Sequence, residues 1–157
     1  VIDTNAPNGT LSADINFDDL TSALFHVVTE TVYFLPKLHL TEKVFKPIAS
    51  RMPFVMVGPA HSLKYLREYG FKTFSDWIDE SYDDIEDPIE RMTAIGNLMS
   101  DICSRDFKEL EQMLVDMQRV LDYNHDLFYS HEFLDYCWQE FKDNLKASVP
   151  ELHRKKT

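Results

Sequence analysis

A hydroxyl, an acid and a base stand side by side at Thr41, Glu42 and Lys43, directly before an apolar segment of the sequence. If Thr41 is a helix N-cap, Glu42 lies in the first turn, where a carboxylate stabilises the positive end of the helix dipole. A binding site is the alternative, because free N–H groups at a helix N-terminus bind phosphate and a lysine adds positive charge for a diphosphate. Glu42 would repel phosphate and is suited instead to accept hydrogen bonds from sugar hydroxyls. The residues alone leave both interpretations open.

Three further candidate residues flank this trio. Glu30 ends the apolar run FHVVTE, and Gly58 ends the apolar run PFVMVG. Open α/β sheets bind ligands at the carboxyl ends of their strands, so Glu30 and Gly58 are expected at the same edge as the trio. His61 comes shortly after Gly58 and is placed to begin the next helix near that edge. A solvated acid at the end of a strand is the plain alternative for Glu30.

Strands and helices must position these residues. Residues 25–31 and 53–58 are apolar and β-branched, which predicts buried strands, and residues 71–74 predict a short third strand. Helices are predicted between the strands, over residues 40–51 and 62–69. This β-α-β-α-β order indicates an α/β fold with a small parallel, Rossmann-like sheet of about three strands and flanking helices.

Pro47, Gly70 and an acidic run interrupt or end the predicted elements in this half of the chain. Pro47 falls inside the first predicted helix, which predicts a kink or a late helix start. Gly70 is a natural stop for the second helix. Residues 76–87 are strongly acidic. They lack the glycine that an EF-hand loop requires, and we expect a solvated loop.

The second half of the chain predicts three helices that form a C-terminal layer. Asp87, followed by Pro88 and Glu90, is a typical helix start, and Asp106 and Ser130 are expected N-caps for the next two helices. Apolar residues recur every three or four positions in each helix, which predicts that these faces belong to the core. The predicted core positions are Ile89, Met92, Ile95, Met99 and Ile102 in the first helix, Phe107, Leu110, Leu114, Met117 and Leu121 in the second, and Phe133, Leu134, Cys137, Trp138, Phe141 and Leu145 in the third.

We expect a single folded domain. Residues 1–16 are polar and predict a flexible lead-in. Residues 17–157 then form one α/β domain, with the α/β part over about residues 25–86 and the helical part over about residues 87–148. The chain begins at Val1 rather than methionine, which is compatible with a processed product, an excised domain or an incomplete reading frame.

The composition argues against several classes of function. A net charge of −11 disfavours a nucleic-acid or anionic-membrane surface, because either would repel the protein. No apolar run approaches the ~20 residues of a membrane span, and we expect a soluble, cytoplasmic protein. Cys103 and Cys137 are expected to be buried, reduced thiols. The sequence has no glycine motif for a dinucleotide or a P-loop, no Asp-x-Asp pair and no metal-ligand spacing, so we expect no cofactor and no metal site.

Glu30, the trio Thr41-Glu42-Lys43 and the run PFVMVG follow one another in an order and spacing that resemble the donor-binding half of the α-1,3-fucosyltransferase family. The resemblance covers about residues 25–100. The runs TEKVFKPIA and GFKTF are also similar to uncharacterised proteins of marine phages and bacteria. Membership would imply a GT-B architecture of two Rossmann-like domains, in which the C-terminal domain holds GDP-fucose without an obligatory metal. It would assign Glu42 to donor-sugar or ribose hydroxyls and Lys43 to the diphosphate.

The sequence departs from that family pattern at several positions. Thr31 and Val32 follow Glu30 where the family has Asn-Ser, and the run Ser50–Met52 replaces its small glycine before the proline strand. No arginine precedes Arg51, so the family's phosphate-binding arginine has no upstream counterpart. The family's catalytic base lies in an N-terminal domain that this chain lacks, and no catalytic residue is assigned.

Two functions follow from these expectations. The leading hypothesis is a glycosyltransferase-like domain that binds a nucleotide-sugar donor, with a GDP-sugar preferred, through Glu30, Thr41, Glu42, Lys43, Gly58 and His61. Transfer would require an acceptor and base domain that the chain lacks. The alternative is a non-enzymatic α/β interaction module that self-associates into a homo-oligomer through its C-terminal helices.

Overall fold

The computed structural model describes residues 22–35 and 37–154. The lead-in predicted at residues 1–16 lies outside these described residues. The described part of the chain is a mixed helix–strand fold with a two-stranded parallel sheet, five α-helices and one short 3₁₀ helix. In chain order the elements are β1 (His26–Thr29), α1 (Glu42–Ala49), β2 (Phe54–Val57), α2 (Ser62–Glu68), the 3₁₀ helix (Ser81–Asp84), α3 (Pro88–Ser104), α4 (Phe107–Phe128) and α5 (His131–Arg154). None of the helices in this part is long and apolar enough to cross a membrane.

The sheet contains the two predicted apolar strands and is smaller than expected. Two strands, rather than about three, are present among the described residues. They are joined through α1, a crossover of the kind that parallel neighbours require. The pairing runs from His26 with Phe54 to Thr29 with Val57. The residues that follow the two strands therefore leave the sheet at the same edge.

The segment Phe71–Phe74, predicted as a third strand, is not a strand. Its two phenylalanines are buried, as a strand pattern would have them. Its backbone, however, is paired with side chains. Lys72 N donates to Asn124 Oδ1 at 2.8 Å, Asn124 Nδ2 donates to Lys72 O at 2.8 Å, and Phe74 N donates to Glu80 Oε1 at 2.7 Å. These side chains satisfy the backbone groups that a neighbouring strand would otherwise have to satisfy.

The predicted starts of the three C-terminal helices are confirmed. The Asp87 carboxylate accepts from two backbone N–H groups in the first turn of α3, each at 2.9 Å. Asp106 accepts from one backbone N–H group of α4 at 2.9 Å, and Ser130 Oγ accepts from one of α5 at 3.1 Å. Each side chain satisfies an N–H group that the helix itself leaves unpaired, which is why these residue types fix the helix starts.

The run Ser50–Met52 forms the C-terminal cap of α1. The helix begins at Glu42 with Pro47 inside it, so the expected late start is wrong. Arg51 has a left-handed φ of 52°. Its N–H group donates to Ile48 O at 3.2 Å, and Met52 N donates to Pro47 O at 2.9 Å. This pair of bonds is the Schellman motif, with arginine at the position that glycine usually takes.

The buried faces of α3 and α4 differ in part from the prediction. On α3, Ile89 and Met92 are exposed, while Ile95 and Ile102 are buried as predicted. Ile95 and Ile102 belong both to the predicted stripe and to the stripe that is buried, because residues three and four apart lie on the same helix face. The stripe that faces the core is Arg91, Ile95, Leu98 and Ile102 on α3, and Met113, Met117, Leu121 and Asn124 on α4. Both stripes contain a polar side chain, which a hydrophobic pattern does not detect.

Candidate functional site

The structure brings Glu30 into contact with the trio, at the carboxyl end of β1. Glu30 is buried, and its carboxylate accepts from Thr41 Oγ1 at 2.7 Å and from Thr41 N at 3.3 Å. The expected alternative of a solvated acid is therefore wrong. The carboxylate joins the end of the first strand to the start of α1, and both of its oxygens are already bonded within the protein.

Thr41 is the N-cap of α1, as one of the two interpretations predicted. Its Oγ1 accepts from Lys43 N at 3.3 Å while donating to Glu30. Glu42 is partly exposed in the first turn, and the hydrogen bond to its own backbone N–H is the main reason that its pKa lies below the ordinary value. The helix N-terminus is thus satisfied by the chain's own hydroxyl and carboxylates.

The Lys43 ammonium group lies over this cap. Its Nζ donates to Thr31 Oγ1 at 3.1 Å and to Thr41 Oγ1 at 3.4 Å, and it is 3.5 Å from Glu42 Oε1. The side chain is 37% exposed, so it remains accessible to an anion. Its charge is partly balanced by the neighbouring Glu42, which weakens its attraction for a phosphate.

Gly58 allows β2 to approach the start of α2 closely. A Cβ atom at this position would lie 2.8 Å from Ser62 Oγ, closer than side chains tolerate. It would also lie 3.7 Å from Glu30 Cβ, so the ends of the two strands meet here. Gly58 is therefore required by packing at the sheet edge, and its carbonyl oxygen accepts from Arg91 Nε at 3.1 Å.

His61 is the N-cap residue of α2 and has a left-handed φ of 67°. Its backbone N–H donates to Asp83 O at 2.7 Å. Its imidazole lies between two acids, with Nε2 2.9 Å from Glu86 Oε1 and Nδ1 3.4 Å from Asp84 Oδ1. An imidazole surrounded by carboxylates is better placed to pair with these acids than to bind a diphosphate.

The N-terminus of α2 is already occupied by a protein carboxylate. Asp83, in the 3₁₀ helix, is buried and accepts from Leu63 N at 2.8 Å and from Lys64 N at 2.9 Å. A phosphate bound to this helix start would need those same two N–H groups. The acidic run was expected to be a solvated loop, and for Asp83 this expectation is wrong.

Glu80, in the same acidic run, is also held inside the protein. Its carboxylate accepts from Thr73 Oγ1 at 2.7 Å, from Phe74 N at 2.7 Å and from Arg67 Nη1 at 3.2 Å. Burial raises the pKa of Glu80 above the ordinary value, and these donors oppose the rise. The acidic run therefore supplies two internal hydrogen-bond acceptors. A run of acids carries no signal for which members turn inward.

Arg91 is the principal residue at this edge that the sequence did not single out. Its side chain is almost fully buried, and its guanidinium carbon lies 4.6 Å from the centre of the Tyr33 ring. Beyond the bond to Gly58, it donates to Ile85 O at 2.7 Å, Glu86 O at 3.1 Å and Tyr33 O at 3.1 Å. The sequence signal that Arg91 is buried was its position on the same face of α3 as the buried isoleucines.

A pocket of about 240 Å³ opens beside Arg91. It is bounded by Tyr33, Phe34, Leu35, Leu38, Pro59, Ala60, Glu86, Pro88 and Arg91. Neither Glu30 nor Lys43 lines it. The arginine offers positive charge at its floor, but the guanidinium already binds four backbone oxygens. Gly58 and His61 do not line the pocket themselves, but they flank Pro59 and Ala60, which do.

A second candidate surface lies on α5. Leu134, Trp138, Phe141 and Leu145, predicted as core, are 63%, 56%, 53% and 54% exposed. We call these four residues the α5 seam. The Trp138 and Phe141 rings are stacked with centroids 5.5 Å apart. The core prediction is wrong for the α5 seam, because periodicity identifies an apolar face without identifying what covers it.

A different face of α5 holds the helix to the protein. Phe133 packs against Phe71 and Phe128 in an aromatic cluster. Tyr69 donates a hydrogen bond to the Glu140 carboxylate at 2.9 Å. Beyond these contacts, every residue from 141 to 148 is exposed. That segment is about 12 Å of helix without support from the described part of the chain.

Neither cysteine forms a disulfide. Cys103 is exposed, contrary to expectation, and Cys137 is half-buried. Burial, with help from Glu140, raises the pKa of the Cys137 thiol. Within residues 22–35 and 37–154, no group of three or more histidine, cysteine or acidic side chains is placed to hold a metal ion.

Comparisons of the chain with known proteins found no relative. No protein-family model matches the chain, and no curated protein and no solved structure gives a match.

Proposed function

We propose that this protein is a non-enzymatic interaction module that self-associates through α5. The proposal is carried by one observation, the exposure of the α5 seam. Each of its four side chains is more than half exposed, and two of them are large aromatics. Exposed apolar patches of more than a few hundred Å² mark interaction sites in soluble proteins.

The spacing of the α5 seam supports pairing with another helix. Its members are four, three and four residues apart. This repeat of about 3.5 residues is the a/d pattern of helices that pack along one another. A scattered set of exposed apolar residues would not keep to one stripe.

The unsupported part of α5 is a further argument for a partner. Residues 141–148 contact none of the core elements closely enough to be buried. Helices in proteins are stabilised mainly by packing of an apolar face and much less by helix propensity. A partner on the apolar face would supply the packing that stabilises most helices in proteins.

Sedimentation of the 157-residue chain over a range of concentrations tests this function. We expect the wild type to form a dimer with rising concentration, and Phe141→Glu to raise the dissociation constant at least about tenfold, as for an aromatic hot spot. Phe107→Glu is the matched control, because Phe107 is a 69% exposed aromatic at the start of α4. Circular dichroism shows whether both variants keep their helices.

Two outcomes would overturn the interaction module. One is a wild-type chain that stays monomeric at every concentration. The other is a dimer that Phe141→Glu leaves as stable as Phe107→Glu does, since the contact would then lie elsewhere.

Binding of a nucleotide-sugar donor is the second candidate function. It is favoured by the gathering of Glu30, Thr41, Glu42 and Lys43 at one edge of the sheet. The internal hydrogen bonds of these groups argue for a structural role, which is why this function stands second.

Calorimetric titration with GDP- and UDP-sugars tests donor binding. We expect Lys43→Ala to weaken binding at least about tenfold, by removing a charge-assisted contact to the diphosphate. Lys108→Ala, at an exposed site on α4, is the control. Absence of heat with every donor would exclude this function for the chain, and equal binding by Lys43→Ala would exclude the lysine.

A further inference from the structure

We infer that two copies of this chain pair their α5 helices antiparallel about a two-fold axis. This inference rests on the proposed function and adds the orientation, the register and the charges that specify them. In this arrangement the Trp138 ring of each copy packs against Phe141 of the other, and Leu134 packs against Leu145. Asp135 of each copy lies opposite Lys142 of the other.

The α5 seam has the same pattern of residue types and spacings in both directions along the helix. The order of residue types is leucine, aromatic, aromatic, leucine, and the spacings are four, three and four. A two-fold axis places the same patch on both partners, so the patch must be complementary to itself. An antiparallel pair matches each leucine with a leucine and each aromatic with the other aromatic. A parallel pair would oppose Trp138 with Trp138, which crowds two indole rings in one layer.

The charges beside the α5 seam distinguish the two orientations. Asp135 follows Leu134, and Lys142 follows Phe141, so both flank the seam on the same side, at e positions of the heptad pattern. In an antiparallel pair these e positions face one another, which brings Asp135 of one copy to Lys142 of the other twice. In a parallel pair they would face Ser130 and Cys137, which carry no opposite charge.

Both charged side chains are free to make these contacts. Asp135 and Lys142 are exposed, and neither forms a salt bridge within residues 22–35 and 37–154. Lys142 lies over the Trp138 ring, with Nζ 5.5 Å from the ring centre. The ammonium group is therefore already held at the border of the seam, where the second copy would present its carboxylate.

Charge reversal at these two positions tests the orientation. We expect Asp135→Lys and Lys142→Asp each to raise the dimer dissociation constant about tenfold at low salt, because like charges then oppose each other twice. The double variant Asp135→Lys with Lys142→Asp should return to within about threefold of the wild type. At high salt the differences should shrink, because exposed charges are screened. Lys146→Asp with Asp143→Lys, off the flank of the seam, is the matched control.

The outcomes separate this inference from the proposed function. If the single reversals have no effect, or the double variant fails to recover, the antiparallel pairing is wrong. A dimer that is still lost in Phe141→Glu would then keep the interaction module intact. A wild type that never dimerises overturns both.

Discussion

Replacing Arg91 by leucine is expected to lower the free energy of unfolding by more than about 3 kcal/mol, which is a large share of the stability of a small domain. The guanidinium group donates to four backbone oxygens at the sheet edge. Leucine would leave the buried Gly58 oxygen and three partly buried oxygens without this donor. Hydrogen bonds to charged groups contribute about 1.5–3 kcal/mol each, and the four act as a unit rather than additively.

Urea denaturation of Arg91→Leu measures this loss. The control is Arg119→Leu, at an exposed arginine on α4, for which we expect a change within about 0.5 kcal/mol. Both must be compared at one protein concentration, because self-association adds to apparent stability. Equal effects of the two variants would show that Arg91 does not organise the loops around the sheet.

Replacing Asn124 by leucine is expected to cost about 2–4 kcal/mol, since each buried backbone group left unpaired costs about 1–3 kcal/mol. Asn124 is 2% exposed and pairs with both the N–H and the carbonyl of Lys72. Leucine has a similar shape and offers neither a donor nor an acceptor. The loss therefore reports the hydrogen bonds rather than a cavity.

Thermal or urea unfolding of Asn124→Leu checks this value. Asn97→Leu is the control, because Asn97 is an exposed asparagine on α3. Amide exchange at Lys72 gives a second readout, since its N–H group should lose protection in Asn124→Leu alone. Retained protection would mean that another acceptor replaces the amide, and the assigned role would be wrong.

The parts of this fold that the sequence predicts are those with a local cause. The strands around Val28 and Val55 follow from short apolar runs, and the starts of α3 and α4 follow from the capping side chains of Asp87 and Asp106. The approach of Glu30 to the trio follows from a rule of topology, that parallel strands end at one edge. Each of these signals lies within a few residues of its effect.

The parts that sequence reasoning misses depend on distant partners. Asn124 pairs with Lys72 across 52 positions, and this pairing takes the place of the predicted third strand. Arg91 reaches Gly58 across 33 positions. Hydrogen bonds from a side chain to a distant backbone group leave no periodic pattern in the sequence. Neither residue type nor spacing therefore predicts them. For α5, periodicity found the apolar stripe correctly and misplaced it in the core.

The carboxylate of Asp83 has a consequence for the order in which the chain becomes structured. α2 has seven residues, too few for a helix to persist alone. The N–H groups of Leu63 and Lys64 bond to the Asp83 side chain, 20 and 19 positions further on. Closure of the intervening loop and formation of the helix are therefore one cooperative event. A chain emerging from the ribosome would gain α2 only after Asp83 had also emerged.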